Sequence, residues 1–258
     1  MNYKTEINGI EVNVDYTNDN IENIFIPILK YAKKLYEEKK KRVLVMLAAP
    51  PGAGKSTLLS FFKYLSENNN ELMPITTIGM DGFHRYQDYL LTHDMERDGK
   101  TYKMVELKGC PETFDLEKLL ERTMKVANGE TVGWPEYDRL THNPVEDVTM
   151  VSGDIVFLEG NYLLLDKPGW KELKGLSDLT ISIRANEGML RDRLIQRKMK
   201  TGNISHEKAE KFVDLSDLYN AHTCLKYSVE VDIVLDILSD NSYRLIKHPQ
   251  FESVILSV

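Results

Sequence analysis

The alternation of apolar and polar residues changes period along the chain, and each change marks an element. The stretch TEINGIEVNVDY, residues 5–16, has two alternating arms around Asn8-Gly9, a pair that favours the positive φ a tight hairpin needs. The period then lengthens. Ile21, Ile24, Phe25, Ile28, Ala32 and Leu35 recur at helical spacing, and Pro27 inside the pattern makes the helix kink or restart. It runs into Lys39, Lys40, Lys41 and Arg42, which read as a solvated last turn, since cations suit a helix C-terminus. Short unbroken apolar runs follow at Val43–Leu47, Ile75–Ile78, Ile155–Leu158, Leu179–Ile183 and Val231–Leu235. Helical stretches lie between them, notably Asp115–Val126, Glu187–Lys200 and His206–Cys224. Strands alternating with helices predict an α/β fold: a parallel five-stranded core sheet flanked by helices. Residues 1–42 are expected as a hairpin and helix packed on a core of residues 43–258, one domain overall.

Composition narrows the classes. A chain of 258 residues buries enough surface to do without disulfide or metal staples. Its two cysteines, Cys110 and Cys224, are far apart and in no metal-ligand spacing, which fits a reducing, cytoplasmic setting. The N-terminus has no apolar core like a signal peptide's, and no apolar run reaches the ~20 residues of a membrane span. Net charge is −7 and the pI about 5.5, the wrong sign for a nucleic-acid partner. An anionic ligand must therefore be met by local basic groups. A small-molecule partner is expected, with room left for a homodimer.

Such a group stands at residues 49–56, APPGAGKS, after one apolar run and before the helical LLSFFKYL. It matches G-x-x-x-x-G-K-[ST] with Ala49 in the first glycine position, where a small side chain still allows the turn. The strand–loop–helix context predicts a P-loop NTPase fold. Gly52, Ala53 and Gly54 turn backbone N–H groups toward phosphate oxygens, and the helix opening at Lys55 adds its positive end. Lys55 should reach the β- and γ-phosphates, Ser56 should ligate Mg²⁺, and Thr57 completes the ATP-binding set.

The P-loop alone does not choose a reaction. A GTPase needs N-K-x-D, and no Asn-Lys pair occurs in the chain. A motor or transporter ATPase usually ends a long apolar strand in an acidic pair, whereas DIVFLEG ends in the single carboxylate Glu159. After the Ile75–Ile78 run comes MDGFH, residues 80–84. Loops at strand C-termini line the ligand crevice of an open parallel sheet, so Asp81 is placed to accept a proton from an attacking hydroxyl. The competing reading is a helix cap.

MDGFH, KGCPETFD, PEYDR and LEGNYLLLD in combination resemble the uridine kinase, phosphoribulokinase and pantothenate kinase group of P-loop kinases, over roughly residues 43–237. KGCPETFD is similar to the corresponding block of bacterial pantothenate kinases. LEGNYLLLD followed by Pro-Gly-Trp looks most like the branch usually labelled fructose-transport-system kinase, or nucleoside/nucleotide kinase-like. The resemblance implies ATP, Mg²⁺ and a hydroxyl acceptor. It implies Asp81 as catalytic base, Glu159 near metal or acceptor, and Pro111 and Asp115 on the substrate side. Cys110 stands where uridine kinases have a histidine, and PEYDRLTHNPVED departs from pantothenate kinases.

Two further constellations bear on the acceptor and the transition state. Tyr137 and Arg139, in WPEYDR, offer hydrogen bonds against an aromatic wall; from the residues alone a Trp–Tyr packing turn serves equally, and the resemblance favours substrate binding. His84 and His142 are further polar candidates. In LRDRLIQRKMKTG, Arg193 and Arg197 share a helical face and suit a lid that neutralises transferring phosphate, whereas Arg191 reads as a surface partner of Asp192 or Glu187. Gly202 would loosen the lid's far end, and Asp217 and Asn220 share a later face as nucleotide contacts or caps. The expected activity is ATP-dependent phosphorylation of a small alcohol, a sugar first and a nucleoside second. Its rival is a nucleotide-binding regulator with a kinase fold, which needs the P-loop but not Asp81, Asp115, Tyr137 and Arg139 gathered in one pocket.

Overall fold

The computed structural model describes residues 1–7 and 9–251. At the N-terminus β1 (Asn2–Ile7) and β2 (Ile10–Asp15) pair antiparallel, ending in Ile7↔Ile10, with Gly9 at φ +76°. Asn8, the other half of the expected turn, lies outside the described residues. One face of the hairpin packs on the core: the Tyr16 ring stacks on Phe61 at 4.4 Å and Tyr3 meets it edge-on at 5.0 Å. A π-helical turn, Ile21–Phe25, leads into α1 (Ile26–Lys39). Pro27 sits in the first turn of α1, where its missing N–H is no loss, so the helix restarts there.

The basic run after α1 is not uniformly solvated. Lys39 pairs with Asp178, and Lys40 ends the helix in the left-handed region. Arg42 is buried, donating to the carbonyls of Gly153 at 2.7 Å, Val126 at 3.1 Å and Glu130 at 2.5 Å. Charge pattern alone could not reveal this, because those three acceptors lie more than eighty residues away.

The central sheet is built on β3 (Val43–Ala48), a wholly buried strand. The P-loop and α2 (Lys55–Asn68) follow it, then β4 (Thr76–Gly79), the outlying hairpin β5 (Asp94–Arg97) and β6 (Lys100–Lys103), and α3 (Leu116–Ala127). A second hairpin pairs β7 (Val132–Asp138) with β8 (Asn143–Val151). Then come β9 (Ile155–Gly160), β10 (Leu179–Ala185), α4 (Glu187–Gly202), α5 (His206–Phe212) and α6 (Leu218–Lys226), and last β11 (Ile233–Ile237) and β12 (Tyr243–Lys247). Sheet order is β12-β11-β10-β3-β9-β4. The five apolar runs are its parallel members; β12, absent from the sequence reading, adds an antiparallel edge.

Alternation sorts the core into two layers. Val43, Val45 and Leu47 face one side with Phe61, Phe62 and the N-terminal helix; Leu44, Met46 and Ala48 face the other with Trp134 and Tyr162. The register decides the site. Ala48 lies opposite Gly160, and Gly79 opposite Glu159, so three strands end side by side. No helix among the described residues is long and apolar enough to cross a membrane.

Candidate active site

Gly52 and Gly54 adopt φ +85° and +80°, the left-handed conformation that only glycine enters without strain, and Gly54 caps α2. Ala49 has an ordinary φ, and its N–H bonds the Gly160 carbonyl at 3.2 Å, which explains why alanine serves in a glycine position. Ser56 Oγ donates to Glu159 Oε1 at 2.6 Å, and Lys55 Nζ stands 3.8 Å from Glu159 Oε2. A Cβ built on Gly52 would lie 3.2 Å from Leu194, so α4 packs directly over the loop.

The Asp81 loop is a 3₁₀ turn, Met80–Phe83, clamped from three directions. Trp134 Nε1 donates to the Gly79 carbonyl at 2.8 Å, and the Phe83 and Trp134 rings meet at 4.9 Å. Gly82 lies so near β7 that a Cβ there would stand 2.0 Å from the Pro135 carbonyl oxygen. The KGCPETFD block closes the third side: the N–H groups of Asp115 and Arg85 bond the carbonyls of Phe83 (2.8 Å) and Thr113 (2.9 Å). His84 Nδ1 is 2.8 Å from the Asp81 carbonyl, so Nδ1 carries the proton and the ring packs on Phe114 at 4.0 Å. Burial lowers the His84 pKa, and the pull of Asp81 opposes it.

Two cavities meet beside these elements. One, of about 340 Å³, is lined by Asp81, Glu159, Ser56, Tyr137 and Arg139, with Glu6, Lys63, Thr77 and Thr149. The other, of about 520 Å³, is lined by Gly52, Gly54, Lys55, Ser56 and Thr57, with Arg193 and Arg197 from α4. Ala53, between the two loop glycines, is buried and lines neither cavity.

Asp81, Tyr137 and Arg139 thus gather beside the P-loop, and Asp115 does not. The Asp115 carboxylate caps α3 by accepting from Lys118 N at 3.1 Å, and it opens on a separate small cleft with His84. Pro111 is buried at the start of a 3₁₀ turn, Pro111–Thr113. His142 is exposed at φ +57°. On α4, Arg193 bonds Asn241 Oδ1 at 2.8 Å, while Arg197 lies in the field of Asp81 and Asp217. Arg191 is a surface partner, of Asp214 and Glu210 rather than the expected acids. The helix runs through Gly202, and Asn203 takes the left-handed end. Asp217 pairs with Lys198 at 3.5 Å, and Asn220 is buried.

The two carboxylates are driven apart. Burial would raise Asp81, but His84, Lys55, Arg139 and Arg197 outweigh it and hold Asp81 below the usual range. Burial raises Glu159; Lys55 opposes the rise and Asp81 adds to it, and burial prevails. Such a split is the mark of distinct roles for paired carboxylates. Sequence reasoning missed Lys108, whose Nζ lies 4.9 Å over the Tyr137 ring and donates to Gln87 Oε1 and the His142 carbonyl; burial lowers its pKa to about 8. Its position in KGCPETFD was the available signal.

Residues 44–235 match the phosphoribulokinase/uridine kinase family. Escherichia coli YggC, an uncharacterized protein, is 38% identical over 245 residues, covering 95% of this chain and 99% of its own. A Lactococcus lactis pantothenate kinase is 24% identical over 205 residues, 72% of this chain and 64% of its own. A solved structure from Silicibacter, described as a candidate fructose transport system kinase, is 28% identical with a TM-score of 0.69, over 80% of this chain and 98% of its own.

Proposed function

The chain belongs to the phosphoribulokinase/uridine kinase family and is an ATP-dependent kinase by that membership, and from this premise we propose that it phosphorylates a hydroxyl of a small polar acceptor, a sugar before a nucleoside. The observation that carries the reading is the shared boundary of the two cavities. The P-loop cavity meets the one holding Asp81 at Ser56 and Arg139, so a phosphoryl group has a path from one to the other. The acceptor cavity is lined mostly by hydrogen-bonding groups, Thr77, Thr149, Tyr137, Lys63 and Glu136 among them, which suits several hydroxyls.

Each residue has a part. Backbone N–H groups of Gly52–Thr57 and the Lys55 ammonium hold the phosphates. Asp81, ionised at neutral pH, orients the acceptor hydroxyl and takes its proton as the new bond forms. Arg197 and Arg139 face the charge that spreads over the transferring group, with Arg193 further back. Ser56 Oγ and Glu159, in contact at 2.6 Å, are a hard oxygen pair suited to Mg²⁺, whose usual mode is one or two protein oxygens with phosphate and water. When bound, Mg²⁺ neutralises phosphate charge. Burial raises the Glu159 pKa although Lys55 is near, and a divalent cation at this oxygen pair would favour the ionised carboxylate.

The test is ADP release from Mg·ATP with a panel of sugars, nucleosides and pantothenate. Strong stimulation by one acceptor, lost in Asp81→Asn, is expected. A slow rate indifferent to every acceptor and to the substitution would favour the regulator instead.

A further inference from the structure

Three residues line both cavities: Ile7, Ser56 and Arg139. A phosphate-loop hydroxyl and a cation suit a point through which a phosphoryl group passes. Ile7 is of another kind. It is aliphatic, it comes from the N-terminal hairpin, and it lies outside the segment that matches the family.

Strand alternation explains how it gets there. The register Tyr3↔Val14, Thr5↔Val12, Ile7↔Ile10 puts these side chains on one hairpin face, while Lys4, Glu6, Glu11 and Asn13 are exposed on the other. The base of the inner face is anchored on α2. Tyr3 and Val14 pack on the core, Tyr3 Oη donates to the Ser60 carbonyl at 3.1 Å, and Thr5 Oγ1 is 3.4 Å from Ser60 Oγ. Farther along, Ile7, Ile10 and Val12 line the cavity that also exposes Gly52, Gly54 and Thr57, with Glu11 and Asn13 of β2 at its edge. The apolar strip runs off the core and continues over the phosphate loop. An aliphatic wall makes no hydrogen bond to phosphate, but it denies water a place beside it.

We propose that Ile7, with Ile10 next to it, keeps water from the γ-phosphate and so sets how much ATP is lost to hydrolysis. The inference rests on the kinase reading above. In transfer, the acceptor oxygen bonds to the γ-phosphorus while the bond to the β–γ bridging oxygen breaks. ADP leaves with that electron pair, and the hydroxyl proton passes to Asp81. In hydrolysis a water oxygen makes the bond instead, its proton goes to the same carboxylate, and the products are ADP and inorganic phosphate. The two outcomes differ in which oxygen occupies the junction. The acceptor brings hydrogen-bonding groups that Tyr137 and Arg139 can hold, whereas a water at the junction meets the Ile7 side chain, which offers it no hydrogen bond.

The experiment uses the full chain with Ile7→Ser and Ile7→Val. It reads phosphate release from Mg·ATP without acceptor, and ADP affinity by calorimetry. Ile7→Ser is expected to raise phosphate release about tenfold, the effect of ~1.4 kcal/mol on the barrier, at unchanged ADP affinity, with Ile7→Val close to wild type. Phosphate release that stays level or falls in Ile7→Ser overturns the proposal. So does a loss of ADP affinity, which makes the hairpin a nucleotide contact rather than a water barrier. Should Ile7→Ser not fold, Ile10→Ser on the paired strand gives the same readouts and is judged by the same outcomes. Failure of the kinase reading looks different: in the wild-type chain no acceptor stimulates ADP release, and Asp81→Asn leaves the rate unchanged.

Discussion

Asp81→Asn separates proton acceptance from every other task of the site. Asn keeps the volume of Asp, and the loop is held by contacts that the change leaves alone: Trp134 on Gly79, Gly82 against Pro135, and Asp115 N–H on Phe83. Folding should survive. An amide cannot take the acceptor proton, so the loss should match that of a positioned general base, about 10²–10⁴-fold in kcat. That is ~2.7–5.5 kcal/mol of transition-state stabilisation. Lys55 and Ser56 are untouched, and a negative charge beside the phosphates is gone, so KM for ATP should stay level or fall. KM for the acceptor should rise by at most about tenfold, the worth of one hydrogen bond. Steady-state ADP release with a stimulating acceptor, at varied ATP and varied acceptor, yields all three constants. If kcat is unchanged and the whole loss sits in the acceptor KM, Asp81 only binds, and the proton goes elsewhere.

Glu159→Gln should raise the melting temperature at neutral pH without Mg²⁺. A carboxylate whose pKa is raised on folding stabilises the fold at low pH and loses that contribution as pH rises through its folded value, so removing it helps most above that value. The gain should close as pH falls toward 4.5, its ordinary value, in paired melting curves; a constant offset across pH would contradict the raised pKa. Gly82→Ala forces a Cβ to within 2.0 Å of a carbonyl oxygen, so the Asp81 loop must move. A displacement of ~1 Å costs about 10²-fold in rate, and kcat assays should show at least that, with ADP affinity retained. Arg42→Met removes three hydrogen bonds to carbonyls, of which the Val126 carbonyl keeps a backbone donor, the Gly129 N–H at 3.0 Å; the loss should be about 3 kcal/mol. Thermal melting should fall by about 10 °C while kcat per folded molecule holds.

Much of this molecule was legible from local pattern. Five short apolar runs were five parallel strands, because a strand buried on both faces needs apolar residues throughout and shows them wherever it lies in the sheet. The P-loop was legible because two glycines at positive φ before Lys-Ser are a local demand of the backbone. Asp81 was legible by position, since a loop after a parallel strand faces the crevice. Where reading by residue type diverged, the reason was distance along the chain. Arg42 looked like one more cation of a basic turn, and its three carbonyl partners come from residues 126, 130 and 153. Asp115 sits in a block that reads as substrate-side, yet its carboxylate goes to Lys118 N, and the block serves to brace the Asp81 loop. The edge strand β12 carries Arg244 and Lys247 and has no apolar run of its own to announce it.

The sequence by itself determined the strands, the helices between them and the phosphate loop, because each is a periodicity or a backbone requirement contained within a few consecutive residues. The tertiary structure alone decided that β9 lies between β3 and β4, so that Glu159 touches Ser56, and that an N-terminal hairpin reaches over the loop to put Ile7 at the junction. Those are matters of register between segments tens of residues apart. No local spacing encodes them, and they exist only once the two apolar layers have closed on the sheet.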